Sequence, residues 1–133
     1  MARRVLAAVE DLLFKSKISE TAAQLGVDAR FPRTPERLLG ALRESPPDLL
    51  VLDLNSARFE PLELLRIVKH DKDLERVPTV GFLSHVQKDL AVAARKSGCD
   101  HVLARSAFTR DLPKILAGGS TTVDDSVDEA GVG

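Results

Sequence analysis

The sequence lacks tryptophan and tyrosine, and it has a single cysteine and a single methionine among its 133 residues. Cys99 cannot form an intramolecular disulfide, and no second cysteine is available to build a thiolate zinc site. Five phenylalanines are the only aromatic side chains, so few rings are available to stack on nucleic-acid bases. These absences argue against a disulfide-stabilised secreted domain and a zinc module, and they make a reducing cytoplasm the expected location.

Long hydrophobic runs are also missing. The uncharged apolar stretches are short, as at residues 49–52, and none could span a bilayer. Glu10 and Asp11 interrupt the apolar stretch at residues 5–9, which is too short for the core of a signal peptide. We therefore expect neither a membrane-embedded nor a secreted protein.

The charge is nearly balanced but unevenly placed, with 19 basic and 20 acidic side chains. Residues 118–133 contain no basic residue and four of the acidic ones, which leaves 19 basic and 16 acidic side chains in residues 1–117. That small excess forms no Lys/Arg cluster, so we do not expect nucleic-acid binding. The last segment also lacks large apolar residues. We predict a folded domain at residues 1–117 and a disordered acidic tail at residues 118–133.

Short runs rich in valine and leucine alternate with amphipathic stretches, which is typical of βαβ units around a parallel sheet. The runs at residues 48–54 and 77–83 are almost wholly apolar, as expected of central strands that helices cover on both faces. This alternation predicts an α/β, flavodoxin-like fold, a doubly wound five-stranded parallel sheet of order 2-1-3-4-5. The five predicted strands are residues 4–9, 27–31, 48–54, 77–83 and 101–104.

Five helices are predicted between and after these strands. Gly26 should end the first, and Gly98 the fourth. Thr34 followed by Pro35 predicts the start of the second, and Pro61 the start of the third. A last helix at about residues 108–116 requires Pro113 in or near its first turn. The faces predicted to reach the core are Phe14, Ile18, Ala22 and Leu25; Leu38 and Leu42; Leu62, Leu65 and Val68; and Val86, Leu90, Ala93 and Ser97.

Charged residues follow the strands where a doubly wound sheet has its functional crevice, at the strands' carboxyl ends. Glu10 and Asp11 follow the first strand, Asp53 ends the third, and Arg105 follows the fifth. Clustered carboxylates repel one another unless a cation lies among them, and hard oxygen ligands suit Mg²⁺. Arg105 supplies a fixed positive charge that can pair with a carboxylate or a phosphate.

Two segments resemble response-regulator receiver domains, the CheY-like family. Residues 48–66, DLLVLDLNSARFEPLELLR, are similar without a gap to the family's phosphoacceptor segment, and residues 98–105, GCDHVLAR, resemble its Gly-Ala-Asp-Asp-Tyr-Leu-x-Lys motif. The resemblance covers roughly residues 3–117. It implies that Asp53 is the phosphoacceptor, and that Glu10, Asp11, Asp53 and the backbone carbonyl of Asn55 hold Mg²⁺.

The sequence also departs from the family pattern, as a degenerate or pseudo-receiver would. Arg105 stands at the position of the family's lysine, and Ser106 replaces the proline after it. The switch hydroxyl position falls on Leu83 when counted without gaps, although Ser84 follows directly. Val102 occupies the position of the switch aromatic ring. The loop after the phosphoacceptor differs as well, at Ala57, Arg58 and Pro61.

The first functional hypothesis is a stand-alone receiver-like signalling module, not an enzyme, that acts by binding a signalling protein such as a histidine kinase. Phosphorylation-independent action is slightly favoured over a conventional two-component response regulator that is phosphorylated on Asp53 with Mg²⁺. A third alternative is a small-ligand or nucleotide binder on the same sheet.

Simpler structural roles stay open for the same residues. Asp53 could cap a turn, Glu10 and Asp11 could cap the first helix, and Arg105 could form a permanent ion pair with Asp53. The remaining polar candidates are treated as ordinary: His85 as a solvated loop residue, His70 and His101 as lacking metal-ligand spacing, and Cys99 as a core side chain.

Overall fold

The computed structural model describes residues 2–84 and 87–118; His85, Val86 and nearly all of the predicted tail lie outside them. The described part contains five strands and six helices. The strands are β1 (Arg4–Ala8), β2 (Asp28–Arg30), β3 (Leu49–Asp53), β4 (Thr79–Leu83) and β5 (His101–Ala104). The helices are α1 (Leu12–Leu25), α2 (Pro35–Glu44), α3 (Pro61–His70), α4 (Lys88–Lys96), α5 (Arg105–Arg110) and α6 (Leu112–Ala117).

The strands form one parallel sheet in the order β2-β1-β3-β4-β5. This order confirms the predicted doubly wound fold. From β1 the chain adds β2 on one side of the sheet, and it then adds β3, β4 and β5 on the other side. The switch point therefore lies between β1 and β3, and the carboxyl ends of these two strands flank the crevice where such folds place their functional groups. β2, β3 and β4 are each two residues shorter than predicted, and β2 is the shortest strand, at three residues.

Helices cover both faces of the sheet and create two separate apolar layers. Along β3, Leu50 and Leu52 pack with α2, α3 and α4, whereas Leu49 and Val51 pack with α1, α5 and α6. All five residues of β3 and of β4 are buried. Burial on both faces explains why these two segments read as continuous apolar runs and not as alternating ones.

The predicted capping signals act as expected. The Thr34 hydroxyl accepts a hydrogen bond from the backbone N–H of Arg37 at 3.1 Å, and Pro35 lies in the first turn of α2. Pro61 opens α3. Gly26 ends α1 with a left-handed φ of 70°, a conformation that glycine adopts without a Cβ clash.

The bounds of the last predicted helix need correction. The helix predicted at about residues 108–116 begins already at Arg105 and is divided at Asp111, and Pro113 lies in the first turn of the second piece. The reason is that β5 leads directly into α5 without a loop.

The core-facing residues of α4 are Ala91 and Ala94, with Leu90 partly buried, so the predicted face is off by about one position. Likewise, α3 buries Leu64, which was not predicted, and Leu25 of α1 is exposed. Periodicity defines a stripe on a helix, but the packing against the sheet determines which edge of that stripe is buried.

No helix in residues 2–84 and 87–118 has both the length and the hydrophobicity needed to cross a bilayer.

Candidate functional site

Asp53 is the last residue of β3, and its side chain is almost completely buried, with 5% of the residue exposed. One carboxylate oxygen, Oδ1, accepts the backbone N–H of Asn55 at 2.9 Å, so Asp53 also shapes the turn that follows. Burial raises the pKa of this carboxyl, and the charges of Glu10 and Asp11 raise it further. The Asn55 hydrogen bond and the charge of Arg105 lower it only in part. The negative charge of Asp53 at the crevice is therefore only partly balanced by the nearby positive charge and hydrogen bond.

Glu10 follows β1 and reaches across to the loop after β3. Its Oε2 accepts hydrogen bonds from the Ser56 hydroxyl and from the backbone N–H of Arg58, the latter at 3.2 Å. The Arg58 guanidinium lies 3.6 Å from Oε1. The Ser56 bond is the main cause of a lowered pKa for Glu10. Glu10 therefore ties β1 to the β3–α3 loop instead of capping α1.

Asp11 is the residue that caps α1. Its Oδ1 accepts the backbone N–H groups of Leu13 at 2.8 Å and Phe14 at 3.3 Å. The capping role considered from the sequence is thus present for Asp11, and it still leaves one carboxylate oxygen outside the cap.

The three carboxylates interact electrostatically, but they are not arranged as a metal-binding site in the part of the chain that the structure describes. Glu10 and Asp11 follow β1, the neighbour of β3 in the sheet, and the charges of both raise the pKa of Asp53. Within residues 2–84 and 87–118, however, no group of three or more His, Cys, Asp or Glu side chains is arranged to hold a metal ion. The donor set is all oxygen and suits Mg²⁺. In Glu10, Oε2 accepts from Ser56 and Arg58, and Oε1 faces the Arg58 guanidinium.

Asn55 joins the loops that follow β3 and β4. Its Oδ1 accepts the backbone N–H of Ser84 at 3.3 Å, and its Nδ2 donates to Gln87 Oε1. Ser84 is exposed just beyond β4, whereas Leu83 is completely buried in the apolar layer with α2, α3 and α4. Of the two positions, only Ser84 offers a hydroxyl at the crevice.

Arg105 is the first residue of α5, and it lies on the face of an aromatic stack. Its guanidinium carbon is 4.9 Å from the centroid of the Phe14 ring and 5.9 Å from that of Phe82. Both are described residues, yet no ion pair joins Arg105 to Asp53. The ion pair that the sequence left open is therefore absent, because the guanidinium lies on the aromatic face and not against the carboxylate. Its charge reaches Asp53 only through space.

The other polar candidates have ordinary roles. The His70 ring contacts the backbone carbonyl of Arg66 at 2.8 Å. Cys99 is buried, its thiol donates to the carbonyl of His101 at 3.2 Å, and burial raises the pKa of this thiol to about 11. His85 lies outside the described residues.

Three residues of the site were not identified from the sequence: Phe14, Ser56 and Gln87. Ser56 lies three positions after Asp53, and its small side chain fits a buried loop, but the sequence does not show that its hydroxyl would bind Glu10. Phe14 was assigned to the core only. No local pattern distinguishes Gln87, because its partner Asn55 is 32 positions away.

Comparisons with known proteins bear on the fold. No protein-family model matches the chain. Over 80 residues the chain is 31% identical to the response regulator Rcp1 of Synechocystis, a match that covers 59% of this chain and 54% of Rcp1. The match therefore spans about half the length of that curated relative.

Solved structures extend the similarity to most of the chain. The phosphorylated cyanobacterial phytochrome response regulator RcpA is 22% identical, with a TM-score of 0.74 over 89% of this chain and 91% of RcpA. The receiver domain of a Pseudomonas aeruginosa sensor histidine kinase is 14% identical, with a TM-score of 0.76 over 89% of this chain and 97% of that domain. That domain has a magnesium ion coordinated in its active-site cleft. These similarities confirm the receiver fold that the two sequence segments predicted.

Proposed function

We propose that this receiver-fold chain is a signalling module that accepts a phosphoryl group on Asp53 and acts through a protein partner. The observation that carries the proposal is the Asp53 carboxylate itself, which is buried at the strand-end crevice, has a raised pKa, and has no ion pair with Arg105. The sequence slightly favoured phosphorylation-independent action and left open a permanent ion pair between Arg105 and Asp53. Without it, Asp53 remains available for chemistry.

The proposed reaction is a transfer to the chain's own carboxylate. An oxygen of Asp53 attacks the phosphorus of a donor, the bond to the donor's leaving group breaks, and an acyl phosphate forms. Bound Mg²⁺ would supply charge neutralisation for the phosphoryl oxygens. Its ligands would be Glu10, Asp11, Asp53 and the backbone carbonyl of Asn55.

The groups around the carboxylate would then bind the product. Ser84 offers a hydroxyl beyond β4, and Arg105 offers a fixed positive charge at the end of β5. Each can neutralise or hydrogen-bond an oxygen of the new phosphoryl group. We further propose a histidine kinase as donor and partner, which the similarity to response regulators supports, and a cytoplasmic location, where the free thiol of Cys99 is stable.

The test is the intact mass of the protein after incubation with Mg²⁺ and a small phosphodonor such as acetyl phosphate. We expect the wild type to gain one phosphoryl group and Asp53→Asn to gain none. Asp28→Asn is the matched control, because Asp28 lies on the edge strand β2 and pairs with Arg30, and it should label like the wild type. An unlabelled wild type, or labelling that survives in Asp53→Asn, would refute the proposal.

A second candidate is partner binding that does not depend on phosphorylation. Val102, at the position of the switch aromatic ring, is completely buried and aligned with Gly81 of β4. No ring is therefore available there to move between a surface and a buried position. If this candidate holds, partner affinity will be the same for the wild type and Asp53→Asn, with or without the phosphodonor.

A further inference from the structure

The position of Arg105 suggests a second role for the aromatic residue beneath it. We propose that Phe14 is a positioning residue that keeps the Arg105 guanidinium on its ring and away from Asp53 in the resting protein. A phosphoryl group on Asp53 must then draw the guanidinium off the ring before Arg105 can neutralise its charge. This inference rests on the proposed phosphorylation of Asp53.

The contact has the geometry of a cation–π interaction. The guanidinium carbon is 4.9 Å from the Phe14 centroid, inside the distance of about 6 Å at which a ring's quadrupole attracts a cation. Arginine also stacks on aromatic faces with its flat guanidinium, which the ammonium of lysine cannot do. The arginine at this position is therefore better suited to the ring than the lysine of the receiver family.

The ring that receives Arg105 is held firmly from behind. Phe14 stacks on Phe82 with centroids 4.9 Å apart and planes inclined by 21°. Phe82 in turn stacks on Phe108 at 4.5 Å, and these two rings are completely buried. Phe14 is partly buried and packs against these two buried rings, so its position is set by the core and not by Arg105.

The stack is also connected to the site. Phe82 on β4 is the register partner of Asp53 on β3, so the ring and the carboxylate belong to neighbouring strands. The backbone N–H of Phe14 donates to Asp11, which links the ring to the crevice carboxylates. Arg105 already lowers the pKa of Asp53 from its present position, so its charge lies within electrostatic reach of the carboxylate.

The physical consequence is competition for one cation. A cation–π contact at an exposed side chain such as Arg105 contributes about 0.5–1 kcal/mol, which corresponds to a two- to five-fold change in an equilibrium constant. Removing the aromatic face should therefore make the crevice bind a phosphoryl group about two- to five-fold more tightly.

Nuclear magnetic resonance tests the contact without metal or donor. In the wild type, the Arg105 δ-methylene protons should be shifted upfield by the ring current of Phe14. Phe14→Leu should remove most of that shift and leave only the smaller contribution of the more distant Phe82 ring. Phe31→Leu is the matched control, since Phe31 is also partly buried against the same apolar layer but is not part of the stack, and it should preserve the shift.

The consequence is tested with beryllofluoride and Mg²⁺ as the probe for a phosphoryl group on Asp53. Saturating wild-type protein should remove the upfield shift of Arg105. Phe14→Leu should bind the probe two- to five-fold more tightly than the wild type. Arg105→Lys leaves the core unchanged and should bind at least as tightly as the wild type. It thus provides an independent variant should Phe14→Leu fold poorly.

The outcomes separate this inference from the proposed function. An unshifted Arg105 in the free wild type, or a shift that persists at probe saturation, overturns the inference. Equal affinities of the wild type, Phe14→Leu and Arg105→Lys, with normal phosphorylation, overturn the inference and leave the function standing. Failure of every protein to bind the probe or accept a phosphoryl group overturns both.

Discussion

Replacing Asp53 with asparagine should make the protein more stable at neutral pH, although it removes the proposed phosphoacceptor. The carboxylate is buried and its pKa is raised, chiefly because burial disfavours the charged form. Asparagine has nearly the same shape, and its Oδ1 can still accept the Asn55 backbone N–H. The substitution therefore removes a poorly solvated charge and keeps the turn.

The size of the effect follows from the surroundings of the side chain. A buried polar group without adequate partners costs about 1–3 kcal/mol, and more when it is charged. The new amide N–H groups of asparagine also need partners, which offsets part of the gain. We expect the free energy of unfolding to rise by about 1 kcal/mol at pH 7.

The pH dependence has a definite sign. Because the pKa of Asp53 is higher in the folded than in the unfolded protein, the folded state binds more protons between the two pKa values. Wild-type stability from this group therefore falls as the pH rises from the ordinary aspartate pKa through the folded pKa. Below the ordinary value the carboxyl is neutral in both states, and the advantage of Asp53→Asn should disappear.

Urea unfolding at several pH values measures both features, provided that the m-value is the same in the two proteins. Magnesium should make the wild type more stable than Asp53→Asn, since a ligand at ten times its Kd adds about 1.4 kcal/mol to the wild type's free energy of unfolding. Asp53→Asn should gain much less. Asp28→Asn should follow the wild type within about 0.5 kcal/mol throughout. A stability advantage that is absent at pH 7, or is equal at every pH, would refute the reasoning.

Three further predictions concern other parts of the molecule. Gly98→Ala should lower the melting temperature, because Gly98 has φ 106° and an added Cβ would lie 2.5 Å from Lys69 Cγ. Gly40→Ala should instead stabilise the protein by about 0.5–1 kcal/mol, because Gly40 lies inside α2 and an added Cβ meets nothing within 4 Å. Arg105→Ala should cost no more than about 1 kcal/mol in urea unfolding, since Arg105 is exposed and makes no ion pair with Asp53. Cys99 should react with a thiol reagent at pH 8 only after unfolding, because burial raises its pKa to about 11.

Each of these has a clear contrary result. A Gly98→Ala protein as stable as Gly40→Ala would mean that the backbone at residue 98 relaxes without strain. A loss of 2 kcal/mol or more in the free energy of unfolding of Arg105→Ala would indicate a buried ion pair between Arg105 and Asp53 after all. Fast labelling of Cys99 in the folded protein would show that the thiol is accessible.

Much of the architecture could be predicted because it depends on local patterns. The alternation of apolar runs and amphipathic stretches predicts parallel strands joined by helices, and the right-handed crossover then restricts the strand order. Thr34, Pro61 and Gly26 mark helix ends because each satisfies a requirement of its own backbone position. Asp53 could be placed at the crevice because it ends an apolar strand.

The choice of partners within the site could not be predicted in this way. The sequence brings Arg105 and Asp53 to the same edge of the sheet, but the guanidinium lies on Phe14, 91 positions away along the chain. Glu10 likewise turns to Ser56, 46 positions away, where it holds the loop after β3. Each charged side chain has several acceptable neighbours at the strand ends. Packing of the stacked rings and the loops decides among them, and that packing exists only once both layers are assembled on the sheet.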